Sequence, residues 1–178
     1  RGEKTGRNER QMRSGALLPA EWDLLSDFQR EQGERWEISD IRLESHDGKV
    51  YLNPAENPDL TGILSLRKGL YLGEIKKGRF EPSQQLAMTL PYSQRVGEEA
   101  LGEELSLDEK KPRRISFSRE DERVIRYLRG ETVSLSEGED RGLSNGYVLV
   151  CVDGFPLGWG RLLNGILKNK YLTVWRIS

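Results

Sequence analysis

The chain has 178 residues, 28 Lys+Arg against 29 Asp+Glu for a formal charge of -1, and 35% hydrophobic against 32% charged residues; this suits one or two modest cores and excludes a uniformly basic nucleic-acid binder. Its longest apolar stretch, Tyr147 to Val152, falls far short of the ~20 residues that cross a bilayer, so a membrane-spanning helix is excluded and a cytoplasmic protein is expected. One cysteine, Cys151, and one histidine, His46, exclude an internal disulfide and leave a zinc site without its usual thiolate and imidazole ligands.

Residues 1–16 carry Arg1, Lys4, Arg7, Arg10 and Arg13 with almost nothing apolar before Met12, and read as a basic linker. The start at an arginine fits a fragment of a longer protein. A first unit spans 17–96. In it Pro19 suits a first helical turn, Leu18, Trp22, Leu25 and Phe28 recur at helical spacing, and Gly33 supplies a stop. Ile38 to Leu43 and Lys49 to Leu52 around Asp47-Gly48 predict a β-hairpin. Leu64 to Ile75 predicts further strand broken at Gly69 and Gly73, and Ser83 is placed to cap a helix over Gln84 to Leu90.

Residues 97–112 are acidic, with Glu98, Glu99, Glu103, Glu104, Asp108 and Glu109, and read as a solvated linker. The second unit, 113–178, opens with a strand end at Ile115 and Phe117. Ser118 and Asp121 resemble a capping box before a helix with Val124, Ile125 and Leu128 as its apolar stripe, and Gly130 ends it. Tyr147 to Val152, Phe155 to Leu163, Ile166 to Lys168 and Thr173 to Ile177 predict short strands joined at Asp153-Gly154 and Asn164-Gly165. The expected class is α+β, two small domains, the second a β-meander or barrel with one helix.

Catalytic chemistry is hard to place on these residues. A nucleophilic mechanism needs a base beside a Ser, Cys or Thr, yet His46 sits at a predicted turn and Cys151 among valines, where burial keeps a thiol inert. The paired carboxylates lie in polar stretches that do not desolvate them. No phosphate-binding GxxxxGK[ST] occurs, and Gly158-Trp159-Gly160 is too short for a dinucleotide loop. The chain is therefore expected not to be an enzyme in itself.

Positive charge gathers in two places. After Arg141 come Arg161, Lys168, Lys170 and Arg176 against Asp153, interleaved with Tyr147, Phe155, Trp159, Tyr171 and Trp175; a basic, aromatic β-surface suits phosphates and stacked bases. Phe155, Trp175 and Tyr147 are expected in the core, and Trp159 is open to packing or to ligand contact. Arg67, Lys68, Lys76, Lys77 and Arg79 form a second cluster in the first unit.

The stretch from Gly146 to Tyr171, with Pro156-Leu157-Gly158-Trp159-Gly160 followed by Leu167-Lys168-Asn169, resembles the PUA-like RNA-binding domain that ends bacterial NOL1/NOP2/Sun-type RNA cytosine-5 methyltransferases. Tyr127 to Glu131 is similar to the segment preceding that domain, and Leu70 to Ser83 to the intermediate domain joining it to the catalytic core. Arg161 stands where the family often has lysine, and Tyr171-Leu172 replaces a common Tyr-Pro. The resemblance implies a parent enzyme that moves a methyl group from S-adenosylmethionine to cytosine C5 of ribosomal or transfer RNA, using upstream cysteines that Cys151 does not match. It also implies a catalytic domain in cis that this chain lacks; no metal is expected, from the single cysteine and histidine. On that reading Arg161, Lys168 and Lys170 contact phosphate, and Asn169 bonds RNA or holds a turn. Gly158 and Gly160 admit the RNA backbone or make strand bends. The alternative is a module that docks on the methyltransferase domain without touching RNA.

Overall fold

The computed structural model describes residues 14–33, 41–54, 69–90, 112–140 and 142–178. The basic arm before Ser14, the acidic stretch 97–111, Arg67, Lys68 and Arg141 lie outside them, as do the starts of two predicted strands. In the first unit, β1 (Ser14–Ala16), β2 (Ile41–His46), β3 (Lys49–Pro54), β4 (Leu70–Lys76) and β5 (Arg79–Pro82) form one antiparallel sheet in chain order. Ser14–Ala16, expected at the end of the linker, instead adds to β2 as an edge strand.

Helix α1 (Pro19–Gln32) keeps the predicted bounds. Its start is held by the Glu21 carboxylate, which accepts from the Leu18 N–H at 2.9 Å, and Gly33 ends it in the left-handed conformation at φ 65°. Leu25 and Phe28 are its buried face; Leu18 and Trp22 stay largely exposed. Helix α2 (Gln84–Thr89) is capped as expected, the Ser83 hydroxyl accepting from Leu86 N–H at 3.0 Å.

The second unit holds β6 (Arg114–Phe117), α3 (Glu122–Leu128), β7 (Val133–Ser134), β8 (Gly146–Val152), β9 (Phe155–Leu163) and β10 (Ile166–Asn169). Its sheet order is β6-β8-β9-β10-β7. The meander expected from sequence is its centre, but β6 joins β8 in parallel, so the sheet is mixed. The α3 cap is Asp121, which accepts from Arg123 N–H at 2.9 Å, not Ser118, whose hydroxyl serves the preceding turn at Glu120.

Three further expectations are corrected. Thr173 to Ile177 is not a strand: Thr173–Trp175 forms a 3-10 turn, because Ile177 N–H bonds the Leu128 carbonyl at 3.2 Å and folds the tail onto the end of α3. Trp175 is 45% exposed there, not core. Phe155 is 60% exposed, since the Asp153-Gly154 turn places it at the rim of the β8–β9 hairpin.

The second sheet is buried on both faces. Val148, Val150, Leu162 and Leu167 pack with Val124 and Tyr127 of α3. Leu149, Cys151 and Trp159 point the other way and join Leu25, Phe28, Leu72, Phe80 and Leu86 of the first unit in one cluster. Burial on both sides is the reason the β8 sequence is continuously apolar and not alternating. The two units therefore share a core.

Candidate nucleic-acid interface

Strand β9 does two different jobs along its length. At its start Val150 pairs with Gly158 and Cys151 with Pro156, leaving Leu157 as an inserted bulge residue. The Leu157 carbonyl accepts from Gln84 Nε2 of α2 at 2.8 Å. Two residues on, the Trp159 indole N–H donates to the Ser83 carbonyl at 2.8 Å, and the ring meets Phe28 edge-on with centroids 5.6 Å apart. Trp159 is 1% exposed, which corrects the expectation that it could stack on a base.

Of the two glycines, Gly158 lies at the same seam and Gly160 over the second unit's own core. A Cβ on Gly158 would stand 2.7 Å from the Tyr127 hydroxyl and 2.8 Å from Gln84 Oε1; one on Gly160 would stand 2.4 Å from Leu167 Cδ1. Glycine is required at both because protein side chains occupy that space. Both are buried, which favours the strand-bend reading of these glycines over an approach of the RNA backbone. The Tyr127 hydroxyl donates to the Trp159 carbonyl at 2.8 Å, and Gln32 Nε2 of α1 donates to the Tyr147 carbonyl at 3.2 Å. Asn169 is likewise committed: its amide donates to the Tyr127 and Glu131 carbonyls at 2.7 and 3.2 Å and accepts from Tyr171 N–H at 2.8 Å. Of its two expected roles, holding the turn is the one its contacts fill.

Past Gly160 the strand changes character. Alternation puts Arg161 and Leu163 on the face that Trp159 occupies. Register then sets Tyr147 of β8 opposite Arg161, and Lys168 of β10 opposite Arg161 from the other side, so Tyr147, Arg161 and Lys168 form one row across three strands. The next row is Leu163 opposite Ile166. Lys170 follows two residues after Lys168, its N–H bonded to the Trp159 carbonyl at 3.1 Å. Arg161, Lys168 and Lys170 are exposed, and among the described residues no salt bridge engages them. Like charges directly opposite on a sheet are destabilising, and Arg161 and Lys168 stand in that relation.

Burial pushes the Tyr147 hydroxyl above its ordinary range and Glu81 adds to the shift, while Arg161 and Arg79 both oppose it. Lys77 and Arg79 are exposed on the β4–β5 hairpin; Lys76 is engaged by Glu74 at 2.6 Å. Lys77 occupies a left-handed position at φ 49°, where the three comparable turns use Asp47, Asp153 and Asn164. Sequence reasoning found the cations of the row, and it placed Tyr147 with the core, where the half-buried ring does pack edge-on against Phe28 and Trp159. It passed over Leu163 and Ile166, whose signal was strand alternation carried to the ends of the hairpin.

Among the described residues no group of His, Cys, Asp or Glu could hold a metal ion, and no helix is long and apolar enough to cross a membrane. Cys151 is buried.

The architecture defines a two-unit α+β region whose second half is a PUA-type sheet. Comparison with family models agrees: residues 114–177 match the methyltransferase RsmF PUA domain, and residues 27–90 match the RsmF rRNA methyltransferase first C-terminal domain. The chain belongs to the RsmF-like branch of the Sun-family methyltransferases, of which it carries the C-terminal region.

Proposed function

We propose that this chain grips ribosomal RNA, with transfer RNA the less favoured substrate, and orients it for the methyltransferase domain of the same enzyme. The observation that carries the reading is the pair Arg161 and Lys168, cross-strand neighbours on one sheet face, extended by Lys170, all three exposed. It is a stripe of exposed cations on the sheet of the second unit, bordered by the half-buried ring of Tyr147. The matched rRNA methyltransferase family supports an RNA partner.

Methyl transfer to cytosine C5 is assigned to the parent's other domain, where S-adenosylmethionine supplies the methyl group. The residues present do not fit that cofactor. The three helices of the described region start behind Leu18, Ser83 and Asp121, none of them a glycine-rich turn after a strand. The one thiol is sealed in β8. This part of the enzyme is read as cytoplasmic and as binding, not catalysing.

The test is a salt titration of binding to structured rRNA fragments. Replacing Arg161 and Lys168 with alanine should weaken binding and lower the slope of log affinity against log salt by about 0.7 to 0.9 for each lost phosphate contact. An unchanged slope overturns the reading. A second reading, docking on the methyltransferase domain without RNA, is favoured by the exposed Leu172, Val174, Trp175 and Ile177 of the tail. Co-purification with that domain, combined with no salt-dependent RNA binding by the wild type, would select it.

A further inference from the structure

The basic row has an apolar neighbour on the same sheet face. Leu163 and Ile166 are direct cross-strand partners, 41% and 44% exposed, one row beyond Arg161 and Lys168. The corresponding position towards the seam holds Trp159, which is covered by the first unit. The face therefore runs from a covered indole, through a row of cations, to an uncovered pair of aliphatic side chains. On β7, Ser134 stands opposite Ile166 and is exposed, so the apolar row ends in a hydroxyl.

Resting on the RNA-binding reading above, we infer that Leu163 and Ile166 form a platform for an unpaired base of the bound RNA, with Arg161 and Lys168 holding the flanking phosphates. Three observations carry it. The cation pair is a like-charge pair that an anion would relieve, which calls for phosphate within reach of β9 and β10. The aliphatic pair is exposed and lies in the next row of the sheet, so a nucleotide whose phosphate sits on the cations extends its base over Leu163 and Ile166. A base pressed on an aliphatic surface must be free of its own stack, because inside a duplex its faces are already covered and the grooves present edges. Ser134 then lies where a base edge or ribose hydroxyl ends. The site discriminates RNA with a looped or bulged nucleotide from continuous duplex, a distinction that phosphate contacts alone do not make.

The 178-residue chain would be titrated with three RNAs of equal phosphate count: an unstructured strand, a hairpin with one bulged nucleotide, and a continuous duplex. The variant pair is Leu163→Ser with Ile166→Thr, both at exposed positions, with circular dichroism and melting temperature checked against wild type. The single variant Ile166→Thr serves if the double variant melts early. The expected result is a loss of about 5- to 10-fold for the strand and the bulged hairpin, at the lower end of what base stacking contributes. The duplex should change less than 2-fold and the salt slope should stay as in the wild type. Equal losses on all three RNAs, or no loss on any, overturn the platform while leaving phosphate recognition by Arg161 and Lys168 standing. Wild-type chain that binds none of the RNAs in a salt-dependent way overturns the platform and the RNA-binding reading together.

Discussion

The two halves of strand β9 are neighbours in sequence and opposites in use. From Pro156 to Gly160 every feature faces inward: the bulge at Leu157 offers its carbonyl to Gln84, Trp159 reaches Ser83, and two glycines make room for Tyr127, Gln84 and Leu167. From Arg161 to Leu163, and across to Ile166 and Lys168, the same sheet face is open and charged or apolar without cover. A motif dense in glycine and tryptophan looks like a ligand site in a sequence, and here it is a seam between two units. The exposed part begins where the motif stops.

Breaking the seam should have the largest effect. Trp159→Ala removes a buried ring and a buried hydrogen bond, and should cost about 3 to 5 kcal/mol by chemical denaturation, with both units melting together because they share a core. Separate transitions with the second unit unchanged would show the seam to be incidental. Gly158→Ala should cost about 1 to 3 kcal/mol as Gln84 and Tyr127 are forced aside; a neutral result would mean the gap is looser than its contacts indicate. The open half should respond in the opposite sense. Replacing Arg161 and Lys168 with alanine should leave stability within about 0.5 kcal/mol of wild type while RNA affinity falls.

Two smaller effects sharpen the contrast between cations that hold the fold and cations that do not. Arg123 is bound by Asp121 at 2.6 Å and by Glu139 at 2.6 Å and lies over the Phe117 ring. These bonds pull the Glu139 carboxyl down from 4.5 to about 2, with the Arg123 bond the largest cause and the Ser136 backbone N–H assisting. A depressed carboxylate contributes stability that is complete above its unfolded value and fades as pH falls from about 4.5 towards 2. Glu139→Gln should therefore lower the melting temperature at neutral pH and flatten its decline in that acid window; a parallel decline would remove the assignment. Lys77→Asn should give the smallest change, a stabilisation on the order of 0.5 kcal/mol, since asparagine tolerates the left-handed turn better than lysine. If that gain comes with weaker RNA binding, the lysine is kept for its charge.

Much of this was legible in the sequence because it was local. Pro19 and Gly33 bracket α1, Asp47-Gly48, Asp153-Gly154 and Asn164-Gly165 mark three hairpins, and Ser83 caps α2, each from a conformational preference of the residue itself. The site was half legible: Arg161, Lys168 and Lys170 stand exposed as expected, but nothing local to Trp159 says that another unit lies over it. Tyr147, Leu163 and Ile166 join the site through cross-strand register, a non-local property. Phe155 and Trp175 were misplaced for the converse reason, since an aromatic side chain carries no mark of whether the core extends as far as its strand.

The long reach of the Trp159 to Ser83 bond also bears on the order of assembly. The first sheet is made of sequential antiparallel neighbours, two pairs of them joined by the tight turns at Asp47-Gly48 and Lys77-Gly78, whereas β6 must wait for β8 and the indole for a carbonyl 76 residues earlier. Because non-local pairing is the slow step in such topologies, Phe28, Phe80 and Leu86 are expected to spend part of synthesis with their apolar surface uncovered. During that interval a nascent chain would offer chaperones a sticky face that the finished protein no longer has.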